Sequence, residues 1–186
     1  MIEDCYMTGI IDKINSLYPI SDDTIRTLKE SMTLCRFPKK YQLIRAGMYC
    51  KSAYFIGKGM TRSFWLVNGE EITTSFSCEG GIVFSMSEEF VETLEDVVVY
   101  RISLDKLRRL FETNIELANW GRIIHQDEYR RLHRSHKERL TLSAKERYEE
   151  FRQQFPQVNQ RAQLGYIASY LGITLSTLSR LRGARK

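Results

Sequence analysis

The strongest constraint on this fold is a change of hydrophobic period near residue 103. Between Thr33 and Ile102 the apolar residues come in short β-type runs separated by turn residues, whereas from Ser103 onward they recur at helical spacing without a further β run. A chain that groups its strands first and its helices afterwards does not build alternating βαβ units. The expected class is α+β.

The runs in the first region are Leu34–Phe37, Tyr41–Ile44, Ala53–Ile56, Met60–Val67, Glu71–Phe76, Ile82–Phe84 and Val97–Ile102. Asn68-Gly69 between two of them is a strong hairpin signal, because a type I′ turn needs positive φ at both central residues. Gly80-Gly81 breaks the chain again, and Val97–Ile102 reads as a buried strand. Gly57-Lys-Gly59 precedes a strand and not a helix, so it is read as a tight turn and not as a phosphate loop. Short strands with frequent turns predict a sandwich, roll or small barrel. Two short helices precede them. One carries the stripe Ile10, Ile11, Ile14 and Leu17 and ends at Tyr18-Pro19; the other is capped by Ser21 and carries Ile25, Leu28 and Met32.

Beyond residue 103, Ser103 caps a short helix with Leu104, Leu107 and Leu110. Thr113-Asn-Ile-Glu116 has the spacing of a capping box and opens a long helix running to about Leu140. Its stripe of Leu117, Trp120 and Ile124 thins to Leu132 and Leu140 among Arg130, Arg131, Arg134 and Arg139. A helix of ~27 residues is ~40 Å long, more than one small β domain covers. Leu117, Trp120 and Ile124 are accordingly expected at a two-helix homodimer seam, the competing reading being that they cover the β domain. Ser143-Ala-Lys-Glu146 is a second capping box, and Pro156 ends the helix it starts.

Residues 164–182 read as a helix-turn-helix. Ile167 and Leu171 form the buried face of the first helix, and Ala168 between them admits close approach of the second. Gly172 suits a left-handed turn, Thr174 is an N-cap, and Ile173 before it is placed to staple against Leu178. Leu178 and Leu181 face inward. Leu175, Ser176, Thr177, Arg180 and Arg182 face outward, where hydroxyls and guanidinium groups meet base edges or phosphates of double-stranded DNA in a major groove. A hairpin built only for packing needs the apolar spacing but not this order of small, turn and capping residues.

Charge points the same way. Residues 1–121 hold 14 Lys/Arg against 17 Asp/Glu, a balance of −3; residues 122–186 hold 14 against 6, a balance of +8. A basic end attracts phosphate polyanions, although a solvated charged helix face accounts for charge alone. The chain divides into residues 1–112, a β domain; 113–142, the long helix; and 143–186, the helix-turn-helix domain.

Other functions find little footing. Cys5, Cys35, Cys50 and Cys78 are too scattered for a zinc or cluster motif, so no metal or other cofactor is expected. His125, His133 and His136 sit among arginines without a completing carboxylate or thiol, and no catalytic triad or carboxylate pair is marked; the chain is not read as an enzyme. No apolar run approaches the ~18 residues of a membrane span, and the acidic start lacks the pattern of a signal peptide. A cytoplasmic protein without membrane association is expected.

Tyr54-Phe-Ile-Gly-Lys-Gly59, Gly69-Glu-Glu-Ile-Thr-Thr74 and Tyr166-Ile-Ala-Ser-Tyr-Leu-Gly-Ile-Thr174 through Ser179-Arg180, taken with the order of parts, resemble the Crp/Fnr family of bacterial transcription regulators over roughly residues 10–182. The resemblance implies a jelly-roll-like double-stranded β-roll of cyclic-nucleotide-binding type, dimerisation along the long helix and DNA recognition by the last helix. Two departures qualify it. The stretch Glu79–Thr93, where the family's cyclic-nucleotide binders hold phosphate with a Gly-Glu pair and an Arg, carries Glu79, Glu88, Glu89 and Glu92 but no Arg or Lys. Cyclic AMP or cyclic GMP bound in the usual way is not expected, and a small-molecule effector stays unassigned; Phe84 and Met86 read as core and not as pocket lining. Only Gly183-Ala-Arg-Lys186 follows the last helix, too little for a β wing, leaving Arg182, Arg185 and Lys186 as its phosphate contacts. Arg180 matches the family's Arg, whereas Leu175 and Ser176 do not match its Arg-Glu pair. The alternative function is a ligand-sensing or protein-interaction module of the same fold that no longer reads DNA sequence.

Overall fold

The computed structural model describes residues 2–48, 50–84 and 89–183, with side chains from residue 5 onward. Helices α1 (Ile2–Leu17) and α2 (Asp22–Glu30) precede eight strands: β1 (Thr33–Phe37), β2 (Gln42–Ile44), β3 (Ser52–Lys58), β4 (Thr61–Val67), β5 (Glu70–Ser77), β6 (Ile82–Val83), β7 (Phe90–Thr93) and β8 (Val97–Ser103). Helices α3 (Leu104–Thr113), α4 (Ile115–Thr141), α5 (Ala144–Gln154), α6 (Pro156–Arg161), α7 (Leu164–Leu171) and α8 (Leu175–Gly183) follow. The α+β order expected from the change of period is the order observed.

The strands form two four-stranded antiparallel sheets, β1-β8-β3-β6 and β2-β7-β4-β5. Leu43, Ile44, Ile56, Val83, Val91, Val97 and Val99, contributed by both sheets, pack as one buried cluster and fill the roll. The other face of the first sheet carries Ala53, Phe55, Tyr100 and Ile102, which pack with α1, Leu28, Leu107, Leu117 and Trp120. Apolar side chains on both faces make this sheet a middle layer. The second sheet is covered outside by α7, in a third cluster joining Met60 to Tyr148, Phe151, Ile167 and Leu178. The helical C-terminal part is thus packed on the roll, opposite to the side that carries α1.

Local signals explain most element ends. Ser21 Oγ accepts from Thr24 N, and Ser103 Oγ from Lys106 N. Ser143 and Glu146 make both bonds of the capping box. Asn68 and Gly69 have φ of 51° and 85°, as a type I′ turn requires. Gly59 has φ of 98° in the β3–β4 turn, and a Cβ there would lie 2.8 Å from Asp96 O and from Val97 Cγ1, so only glycine fits.

Three sequence expectations are corrected. The long helix is capped by Asn114, whose Oδ1 accepts from Leu117 N at 3.0 Å; Thr113 instead closes α3, its hydroxyl donating to Arg109 O. Glu116, freed from the supposed capping box, accepts from Ser21 N and Oγ and ties α4 to the start of α2. The Thr24 hydroxyl, together with these two bonds from Ser21, holds its carboxyl below the usual carboxylate range. Strand β7 lies in the stretch read only as a shortened phosphate cassette, and Pro156 opens the extra helix α6 as well as ending α5.

The candidate DNA-reading face and its mount

Helices α7 and α8 are joined by the turn expected from Gly172. That residue adopts φ 64°, its N–H bonds Ser169 O at 3.1 Å, and Ile173 N bonds Ala168 O at 3.0 Å. Ile167, Ala168, Leu171 and Leu178 are all buried, with Ile173 and Leu181 packed against the same cluster. Thr174 Oγ1 accepts from Thr177 N at 3.1 Å, the N-cap bond of α8. Between them the left-handed turn and the cap fix which face of α8 turns outward.

That face is mostly polar and solvent-exposed. Thr174, Leu175, Ser176, Arg180 and Arg182 are exposed, Leu175 at 51%, and Thr177 is half-buried. Arg180 Nη2 reaches Thr177 Oγ1 at 3.4 Å and Thr174 Oγ1 lies 2.9 Å from Ser176 Oγ, so the outward residues form one small hydrogen-bonded group. Arg185 and Lys186, expected as phosphate contacts, lie outside the described residues.

The seam residues fare differently. Leu117 is fully buried and Trp120 is 2% exposed in the single chain. Trp120 stacks on Phe55 at 6.1 Å and faces Phe111 at 6.5 Å. Ile124 is half-buried against the same cluster. Leu117 and Trp120, expected at a dimer seam, belong within this chain to the roll's own core, of which the N-terminal half of α4 is the outer wall. What α4 leaves exposed is its C-terminal half, with Tyr129 at 70%, Leu132 at 54% and Leu140 at 73%.

The acidic stretch 79–93 is engaged elsewhere. Glu79 accepts from Gly59 N at 2.8 Å and from both terminal nitrogens of Arg161 at 2.9 Å. Burial pulls the Glu79 pKa up, but these bonds outweigh it and hold the carboxyl below the usual range. Glu92 pairs with Arg62. Phe84 packs edge-on to His125 at 6.0 Å and against the α1 cluster, as core. Met86 and Glu88 lie outside the described residues. Among the described residues there is no group of three or more His, Cys, Asp or Glu able to hold a metal, and no helix long and apolar enough to cross a membrane. The four cysteines are free thiols, and burial pushes the Cys78 pKa up to about 11.

The mount of the helix-turn-helix was not legible. Arg62 is 1% exposed, lies between the Phe64 and Tyr166 rings at 4.3 and 3.7 Å, and pairs with Glu71 and Glu92. The available signal was a cation two residues before Phe64, on the same side of β4.

A roll of two antiparallel sheets, a long helix and a C-terminal helix-turn-helix is the architecture of Crp/Fnr-type regulators with a cyclic-nucleotide-binding fold, and this chain has that fold. FixK2 from Bradyrhizobium japonicum superimposes with a TM-score of 0.70 at 18% identity, over 82% of this chain and 83% of its own. The c-di-GMP responsive global regulator CLP of Xanthomonas campestris gives 0.67 at 16%, over 88% and 91%. A transcriptional regulator of the Crp/Fnr family from Eubacterium rectale gives 0.68 at 14%, over 87% and 82%. No protein-family model matches the chain, and no curated protein sequence matches it.

Proposed function

We propose that this protein is a homodimeric, cytoplasmic transcription regulator that reads double-stranded DNA with α8. The observation that carries this reading is the exposed face Thr174, Leu175, Ser176, Arg180 and Arg182 on a helix held by a left-handed glycine turn and an N-cap hydroxyl. The N-terminal half of α8 enters a major groove, Arg180 contacts a base edge or phosphate, and the hydroxyls of Thr174, Ser176 and Thr177 set register. The exposed residues Tyr129, Leu132 and Leu140 of α4 are better placed than Leu117 and Trp120 for the seam between two copies. Two-fold symmetry then spaces the half-sites about one DNA turn, ~34 Å, apart. The roll, filled with apolar side chains and lacking a cation in its phosphate stretch, does not take cyclic AMP or cyclic GMP in the usual manner.

Selection of bound fragments from sheared genomic DNA at near-physiological salt tests the reading, and recovery of a two-fold symmetric motif is the expected result. Arg180→Ala weakens binding to that motif by about 1–3 kcal/mol if the contact is bidentate to guanine. Recovery of unsorted DNA that is lost as salt rises would instead identify a module that no longer reads sequence.

A further inference from the structure

The C-terminal half of α4 is basic around most of its circumference, with Arg130, Arg131, Arg134, Lys137 and Arg139 close together in sequence. One side is clear of them. Tyr129, Leu132, His136 and Leu140 follow one another at spacings of three, four and four, which puts them in one stripe about 80° wide. All four are exposed, Tyr129 and Leu140 the most. Arg139, at the border of the stripe, is turned onto Tyr170 O at 3.2 Å. Arg130 and Arg131 are paired on the helix itself with Asp127 and Glu128.

This distribution selects what covers the stripe. A nucleic acid or an acidic protein would seat on the arginines and not on the side that lacks them. Two copies of a basic helix, in contrast, approach each other at least cost along the side without Lys or Arg. Each helix-turn-helix follows the C-terminal end of α4, and one two-fold DNA site is served only when those two ends lie together. The two helices then run parallel, and residues on the two-fold axis meet their own copies. Leu132 and Leu140 form apolar layers, and between them two imidazoles face each other.

We propose that α4 pairs in parallel with a second copy of this chain along Tyr129, Leu132, His136 and Leu140, and that His136 makes the pairing depend on protonation. The inference rests on the regulator reading above. Neutral imidazoles suit the position, since one ring N–H can donate to the bare nitrogen of the other. Protonating both sets two like charges against each other. The charged and titratable neighbours are His133, Lys137 and Arg139 on α4, and Arg147 of α5 beyond Arg139 in the adjoining cleft. None of these compensates an imidazolium. Glu138 lies on the opposite side of α4, where it accepts from Gln154 Nε2 at 3.4 Å. Three apolar side chains also offer less than the ~800 Å² that a standard interface buries on each partner, so one pair of charges is enough to decide the seam.

Sedimentation equilibrium of the full-length protein between pH 7.5 and 5.5 tests this, with circular dichroism at each pH to follow the fold. The separated chains take up more protons than the pair, so acid favours separation. The dimer dissociation constant is expected to rise by about tenfold for each imidazole proton the pair excludes over this range, and so by about ten- to a hundredfold. His136→Gln, which stays polar but cannot be charged, is expected to dimerise at pH 7.5 and to lose the pH dependence. His136→Leu is expected to tighten the dimer and to lose it as well. His133→Gln, at the flank of the stripe, is expected to keep it. A dissociation constant that ignores pH, or a dependence that survives His136→Gln, overturns the inference and leaves the regulator reading standing. A chain that stays monomeric at pH 7.5 at every concentration refutes the homodimer itself, and this seam with it.

Discussion

Replacing Trp120 with alanine separates a core residue from a seam residue. The side chain is 2% exposed and stacked on Phe55, with Phe111 beyond it. A buried Trp removes about 150–250 Å² from water, which at about 25 cal/mol per Å² is about 4–6 kcal/mol as an upper bound. Its Nε1 is buried without a hydrogen-bond partner in the chain, and losing that unpaired donor returns part of the sum. A net loss of about 3 kcal/mol is expected, at the lower end of measured Trp→Ala costs, equivalent to roughly 6–12 °C in Tm for a chain of this length. The assay is urea unfolding followed by far-ultraviolet circular dichroism at several protein concentrations, with sedimentation equilibrium beside it. A core role lowers the midpoint at every concentration. A seam role would leave the low-concentration midpoint unchanged and raise the dimer dissociation constant, and that outcome would refute the placement of Trp120. Tyr129→Ala is the mirror experiment: at 70% exposure it changes the stability of the single chain by no more than about 0.5 kcal/mol, while weakening self-association.

Gly172→Ala is expected to destabilise by about 1–2 kcal/mol in thermal unfolding, because φ 64° penalises any Cβ although the space around it is open. Gly165→Ala, in equally open space but inside α7, is expected to stabilise by about 0.5–1 kcal/mol. Thr174→Ala removes the cap of α8 and is expected to cost about 1 kcal/mol, with Thr174→Ser recovering most of it. With its pKa raised to about 11, Cys78 is almost wholly protonated at pH 8, so mass-resolved maleimide labelling is expected to modify exposed Cys5 first. Because the thiolate is the reactive form, Cys78 labelling in the folded protein rises as pH climbs toward 11.

Much of this molecule is written locally. The hairpin at Asn68-Gly69, the caps at Ser21, Ser103, Ser143 and Thr174, and the left-handed Gly172 each depend on one or two residues and their immediate neighbours. Asn114 beside Thr113 shows the limit of such signals: two adjacent residues could each cap α4, and the contact of Asn114 Nδ2 with Thr24 Oγ1, ninety positions away, accompanies the choice. Strand β7 escaped notice for a similar reason. Phe90-Val-Glu-Thr93 is too short to display a period, and it is a strand because β2 and β4 lie on either side of it.

The candidate site divides along the same line. The two helices of the helix-turn-helix, the turn between them and the outward face of α8 are legible in the residues alone, since helical period, cap and turn chemistry are short-range. That Leu117 and Trp120 wall the roll and that Glu79 and Glu92 neutralise arginines emerges from long-range packing. So does the contact of Arg62, on a strand, with Tyr166 of a helix about a hundred residues later. Burial and ion pairing depend on which segments meet in space, and a one-dimensional pattern gives an apolar stripe or a charge no means of naming its partner.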